Sequence, residues 1–424
     1  MENSQNTQSQ GFNGLGISQD FLVQLTKLNF TVPTPIQHKA IPVAIQGKDV
    51  VGIAQTGTGK TLAFGIPMVQ NIAATKGQKM GLVILPTREL AIQVNETLQK
   101  ITRGFGMRTA VLIGGESMYH QLQALRNSPH VVIGTPGRIN DLVKQGKLQL
   151  GAVSILVLDE ADNMFDMGFA PQIKQILLSV PKERQTMLFS ATMPDSILKI
   201  ASQNMKLPLR IEIAPQGTAA ELVEHEMFMV KKEQRMALLQ KLLGEYKGTV
   251  LVFSRTKHGA KKITHALQNA KFTADEIHSN RSLGQRKKAL EGFKTGKHRV
   301  LVATDIASRG IDVKGIELVV NYDLPEAAED YVHRIGRTGR AGLTGKAISF
   351  AAPDQRNKVR DIERLIRTKI PVSHPEGLPY VAPVTTKMDY NHSQNKFSHS
   401  NYQGKKGYQG KKNYHGKKTY SKKY

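Results

Sequence analysis

The chain has no cysteine in 424 residues, so disulfides and thiolate metal sites are excluded, while histidine or carboxylate metal sites are not. It has no apolar run of about eighteen residues, so no membrane-spanning helix and no membrane partner are expected. Its first ten residues, MENSQNTQSQ, lack the basic region and apolar core of a secretory signal. Acidic residues are scarce: 34 Asp and Glu face 59 Lys and Arg, for a net charge of +25. That balance favours an anionic polymer, nucleic acid first, or an acidic membrane surface. The expectation is a soluble cytoplasmic protein.

What is present is enough for two or three domains, with 40% hydrophobic residues to supply their cores. Short apolar runs alternate with longer amphipathic stretches. The first set is VVGIA (50–54), GLVILP (81–86), VVIGTP (131–136), SILVLDE (154–160) and TMLFSAT (186–192). The second is VLVFS (250–254), RVLVATD (299–305), LVVNYD (318–323) and AISFA (347–351). Such runs read as buried parallel strands in βα units. The predicted architecture is α/β, with two open parallel-sheet domains in tandem. The boundaries are a disordered 1–10, a first domain 11–212, a linker 213–222, a second domain 223–370 and a disordered tail 371–424. Polar or Gly-rich residues follow nearly every run, where open parallel sheets bind their ligands.

AQTGTGKT (54–61) follows a strand and opens a helical stretch. It matches the phosphate loop G-x-x-x-x-G-K-[ST], with Ala54 in place of the first glycine. Gly57 and Gly59 let backbone N–H groups turn toward a phosphate, Lys60 supplies a point charge, and Thr61 offers a hydroxyl to Mg²⁺. Thr56, Gly57, Thr58, Gly59, Lys60 and Thr61 are the expected nucleotide contacts. VLDEAD (157–162) sets carboxylates at a strand end: Asp159 for the metal's water shell, Glu160 for the attacking water. In YVHRIGRTGRAG (331–342), Arg334, Arg337 and Arg340 recur every three residues, along one helical face. Arginines from a partner domain stabilise charge on a transferring phosphoryl group.

With these motifs together, the sequence resembles the DEAD-box RNA helicases, whose name is spelled by Asp159-Glu160-Ala161-Asp162. The resemblance covers about residues 12–370, with the motifs in family order. It implies two RecA-like domains, ATP and Mg²⁺ as cofactors, and RNA as partner. In NFTVPTPIQ (29–37) it implies that Gln37 bonds adenine, with Phe12 walling that site. It makes Ser190 and Thr192 of SAT, and His333, coupling residues. It turns Asp305 toward the nucleotide and sends Arg337 and Arg340 to the γ-phosphate. Implied RNA contacts are Pro86, Thr87, Arg88, Gly114, Gly115, Thr135, Pro136, Gly137, Arg138, Ser254, Arg255, Arg286 and Thr304. Their chemistry suits phosphate and sugar contact without sequence readout.

The chain departs from the family pattern at three places. Asn29 stands where Gly is usual, and Asn tolerates a left-handed backbone. In HSNRSLGQR (278–286), Ser279 replaces Gly and Leu283 replaces Gln, with Gln285 a candidate substitute.

The last forty residues hold ten Lys and one acid, and Tyr402, Tyr408, Tyr414 and Tyr420 recur every six residues. Such a repeat cannot bury a core. Its lysines neutralise phosphates and its rings stack on unpaired bases, which suits an RNA tether. The expected activity is local, non-processive unwinding of RNA or remodelling of RNA–protein complexes by ATP hydrolysis. An ATP-gated RNA chaperone or clamp, and a DNA-directed helicase, are the competing readings. The short basic extension resembles the bacterial RhlE-type branch, which implies ribosomal precursors or RNA-decay machinery as partners, and a monomer.

Overall fold

The computed structural model of the chain describes residues 11–55, 57–75, 79–213, 223–308, 313, 315–339 and 345–374. Thr56, Arg340, the expected linker beyond residue 213, residues 1–10 and the Lys/Tyr tail from 375 lie outside the described residues.

Two seven-stranded parallel sheets carry the fold. The first runs β3-β4-β2-β5-β6-β1-β7. Its strands are β1 Val50–Ile53, β2 Met80–Ile84, β3 Thr109–Leu112, β4 Val131–Gly134, β5 Val153–Leu158, β6 Gln185–Ser190 and β7 Leu209–Glu212. The second runs β10-β11-β9-β12-β13-β8-β14. Its strands are β8 Val223–Met229, β9 Thr249–Phe253, β10 Ala274–Ile277, β11 Val300–Ala303, β12 Ile316–Asn321, β13 Gly345–Ala351 and β14 Val372–Ser373. Adding seven to each label of the first order gives the second, so the two sheets are wound identically. These are tandem RecA-like domains. β14 pairs with β8, so sheet structure extends past the expected boundary at residue 370.

Helices cover both faces of each sheet, and this is why the central strands are apolar throughout. Successive residues of β2 feed opposite faces: Val83 joins one buried cluster and Leu82 and Ile84 the other. Asn29 has φ +60°, the left-handed backbone its position asks for.

The functional loops follow from the winding. Within each parallel sheet the strands end at the same edge, and most hand the chain to a helix there. Thr87 caps the helix Arg88–Thr102 by accepting from the Leu90 N–H at 3.3 Å. Thr256 caps the helix Lys257–Asn269 in the same way, accepting from the Gly259 N–H at 3.0 Å. Pro136 opens the helix Pro136–Lys144, where its missing N–H costs nothing.

Candidate nucleotide site and RNA groove

The phosphate loop lies between β1 and the helix Lys60–Ala73. Gly59 caps that helix with φ +93°, which a side chain rarely adopts. A Cβ there would also collide with the Gln37 amide and lie 2.9 Å from the Thr34 hydroxyl. Gln37 braces the loop: its amide donates to the Gly59 carbonyl at 2.9 Å and accepts from the Thr34 N–H at 3.0 Å. The expected adenine ligand is thus turned toward the phosphate loop. Phe12, the expected wall of the adenine site, is a member of the first domain's core, 5% exposed.

Lys60 is buried, donates to the Ala54 carbonyl at 3.0 Å and sits 3.9 Å from Asp159 Oδ1. Asp159 directly follows β5 and is buried. Burial pushes its carboxyl from the ordinary 3.8 up to about 6, against the pull of Lys60. Oδ1 also accepts the Glu160 N–H at 3.0 Å. Glu160 takes a left-handed backbone, φ +52°, in the turn from strand to helix. Asn163 donates to its Oε2 at 3.1 Å.

Asp162 was passed over as a site residue by sequence reasoning, although it completes the tetrapeptide. Its carboxylate accepts the Ala191 N–H at 3.0 Å, and the Thr192 N–H and hydroxyl at 2.8 and 3.0 Å. Its own N–H donates to the Ser190 hydroxyl at 3.2 Å. The two coupling residues expected in SAT are therefore bonded directly to the acidic motif. His333 stands at the domain boundary, its ring nitrogen within 4.8 Å of carboxylates of Asp166 and Asp330.

In the second domain, Arg337 is buried and donates to the His333 carbonyl at 3.3 Å. Arg334 does not share a phosphate-facing arc with it. Arg334 is 2% exposed and donates to Asp305 Oδ2 at 2.8 Å and Asn321 Oδ1 at 3.1 Å, beneath the Phe253 ring. Asp305, expected to face the nucleotide, is held by that pair. A buried guanidinium needs partners on all sides, and these supply them.

The identical winding lets the loop after β1 be compared with its counterpart after β8. After β8 the chain passes through the turn Lys232–Gln234, without glycine, into the helix Arg235–Glu245. Arg235 meets Asp323, two residues after β12, at 2.6 Å. This pair occupies the place that Lys60 and Asp159 hold in the first domain, and it is closed.

Of the expected RNA contacts, Pro86, Thr87, Arg88, Gly114, Thr135, Gly137, Arg138 and Arg286 line one groove of about 400 Å³, joined by Ser279 and Arg281. Arg88 lies across Gly114 and Gly115. A Cβ on Gly114 would be 3.3 Å from its guanidinium, and one on Gly115, at φ +76°, would collide with it. Gly115 and Pro136 flank the lining residues. Ser254, Arg255 and Thr304 do not line this groove. Ser254 is fully buried, its hydroxyl 3.3 Å from Asp323. Arg255 is drawn to Glu326 at 2.9 Å, which raises its pKa. Arg286 donates to Glu89 at 2.8 Å across the domain boundary, a partner not foreseen from the sequence.

The winding, the loop and the strand-end carboxylates define a tandem RecA-like nucleotide-binding protein. Residues 34–200 match the DEAD/DEAH box helicase family and residues 234–342 the helicase conserved C-terminal domain. A relative in Geobacillus kaustophilus, the DEAD-box ATP-dependent RNA helicase CshA, is 43% identical over 368 residues, 87% of this chain and 79% of its own. The chain belongs to the DEAD-box helicase family. Among solved structures it is similar to S. cerevisiae Dbp5 bound to RNA and ADP BeF3 (TM-score 0.77, 28% identity, 86% of this chain and 95% of that one). It is also similar to the DEAD-box helicase Mss116 bound to ssRNA and UDP-BeF (TM-score 0.78, 26% identity, 85% and 78%). These superpositions span both sheets.

Proposed function

We propose that this chain hydrolyses ATP to ADP and phosphate, and that closure of its two domains on RNA opens short duplexes or remodels RNA–protein complexes. The observation that carries it is the chain of bonds from Lys60 and Asp159 through Glu160, Asn163 and Asp162 to Ser190 and Thr192. Lys60 holds the β/γ-phosphates, Glu160 orients the water, and Arg337 and Arg340 meet the γ-phosphate. Gln37 and Phe12 bound the adenine site, and Asp305 positions the nucleotide through the Arg334 pair. RNA lies in the groove of Arg88, Arg138 and Arg286, bound by its backbone.

Thr61 and Asp159 suit Mg²⁺: they offer one hydroxyl and one buried carboxylate, hard oxygen donors for an ion that keeps most of its waters. When bound, the ion neutralises charge on the phosphates. Lowering of the Asp159 carboxyl pKa from about 6 accompanies its binding.

The finer readings are also proposals. The basic tail acts as a tether for RNA. The RhlE-like branch, with ribosomal precursors or RNA-decay machinery as partners, rests on the short basic extension, whereas the matched relative is named CshA. No described helix is long and apolar enough to cross a membrane. A cytoplasmic location and a monomeric state are proposed alongside these readings.

The test is steady-state ATP hydrolysis with and without single-stranded RNA, using matched DNA as control. Strong stimulation by RNA alone is expected. The Glu160→Gln variant should bind ATP and RNA but lose about 10²- to 10⁴-fold in turnover. Hydrolysis indifferent to RNA favours the clamp reading, and equal stimulation by DNA favours the DNA-directed one.

A further inference from the structure

Leu283 opens the helix Leu283–Lys294 of the second domain, yet its contacts place it in a hydrophobic cluster otherwise made of first-domain residues. It is 4% exposed. Three and four residues on, Arg286 meets Glu89 at 2.8 Å and Lys287 lies 3.5 Å from Glu116, both in the first domain. Positions 283, 286 and 287 share one face of a helix. The same face continues to Leu290 and Lys294, which line a cavity of about 440 Å³ with Ile92 and Glu96 of the helix Arg88–Thr102. An apolar anchor thus sits at one end of a seam whose charges are mostly basic on the second domain, Glu291 apart, and acidic on the first.

The family pattern has Gln where Leu283 stands. Gln285 does not replace it. Its side chain accepts from the Ser282 N–H at 2.9 Å, its own N–H donates to the Ser282 hydroxyl at 3.3 Å, and it is exposed. That amide is used to cap its own helix.

We propose that Leu283 is a positioning residue for the helicase reaction: its burial against the first domain holds the second domain over the RNA groove, with Arg286 beside Glu89. The inference rests on the helicase reading above. It gives domain closure an apolar component where the family pattern supplies a polar one. Apolar attraction weakens on cooling and is little screened by salt, whereas ion pairs are screened. Exchanging Leu283 therefore changes how much RNA is needed to close the domains, and leaves the chemistry of the closed site alone.

The experiment uses the full chain with Leu283→Gln, Leu283→Ala and Leu283→Met. ATP hydrolysis is titrated with single-stranded RNA. The chain has no cysteine, so Ser179→Cys and Asn269→Cys, both exposed positions, give a unique dye pair to report domain closure by energy transfer. The expected result is a half-saturating RNA concentration raised about tenfold in the Gln and Ala variants, the factor set by removing one buried leucine. Hydrolysis at saturating RNA should stay within about twofold of wild type, closure should weaken in parallel, and Met should restore both. An unchanged or lowered half-saturation in Leu283→Gln, with unchanged energy transfer, overturns the proposal. A wild-type chain that RNA does not stimulate defeats the helicase reading instead. Energy transfer still reports the seam in that case.

Discussion

Replacing Asp159 by Asn sets stability against function. In the folded chain, burial holds this carboxyl at about 6 against an ordinary 3.8, and at 1.36 kcal/mol per pH unit the gap is worth about 3 kcal/mol against the charged form. The sign follows from linkage. A carboxyl raised by folding stabilises the folded chain when protonated. Its contribution is complete below about pH 4 and is lost as pH rises through about 6. At pH 7.5 the wild type therefore carries the whole penalty, and the neutral amide of Asp159→Asn does not. The variant should be more stable by about 3 kcal/mol without Mg²⁺ or nucleotide. At pH 5 the wild type has regained roughly half of that penalty by protonation, so the advantage should shrink accordingly. Urea unfolding followed by far-ultraviolet circular dichroism at the two pH values measures both numbers. Calorimetric titration with ATP and Mg²⁺ should show the variant binding at least tenfold more weakly, since the carboxylate is gone. In the wild type, the half-saturating Mg²⁺ concentration should rise as pH falls below about 6, because protons compete for the same oxygens. A variant less stable than wild type, or a gain equal at both pH values, refutes the argument that desolvation controls Asp159.

Gly115→Ala places a methyl group on the Arg88 guanidinium and strains a backbone at φ +76°. The half-saturating RNA concentration should rise several-fold in a hydrolysis titration, while hydrolysis without RNA stays unchanged. Truncation before Lys387 should weaken RNA binding and flatten its salt dependence, by about 0.7 in the log–log slope for each lysine that engages a single strand. Filter binding across a salt series measures this, and an unchanged slope removes the tether role.

All nine apolar runs read as strands are strands in the structure, and each lies under helices on both faces. The strands that escaped notice are β3, β7, β8, β10 and β14. β3 and β7 are edge strands with polar or exposed positions, and β14 has only two residues. The edge strand β10 is ADEI, with two acids in four residues. β8 lies inside the sheet, but its polar residues find partners there: His225 bonds the Tyr331 hydroxyl at 3.0 Å and Glu226 meets Lys346 at 3.0 Å. Partnered polar residues erase the hydrophobic signal without exposing the strand.

The sequence by itself determined the two-domain α/β architecture, the phosphate loop and the acidic strand end. These features are local: a loop or a strand end is specified by a handful of consecutive residues with fixed geometry. Only the tertiary structure showed that Arg334 is a buried strut held by Asp305 and Asn321. It alone showed that Asp162 grips Ala191 and Thr192, that Ser254 faces inward, and that Arg286 is held by Glu89. It also turned Leu283 from a departure in a motif into a contact between domains. The energy of a charge or an apolar side chain depends on what surrounds it. Here those surroundings come from residues up to 197 positions away, brought together by the folding of the chain.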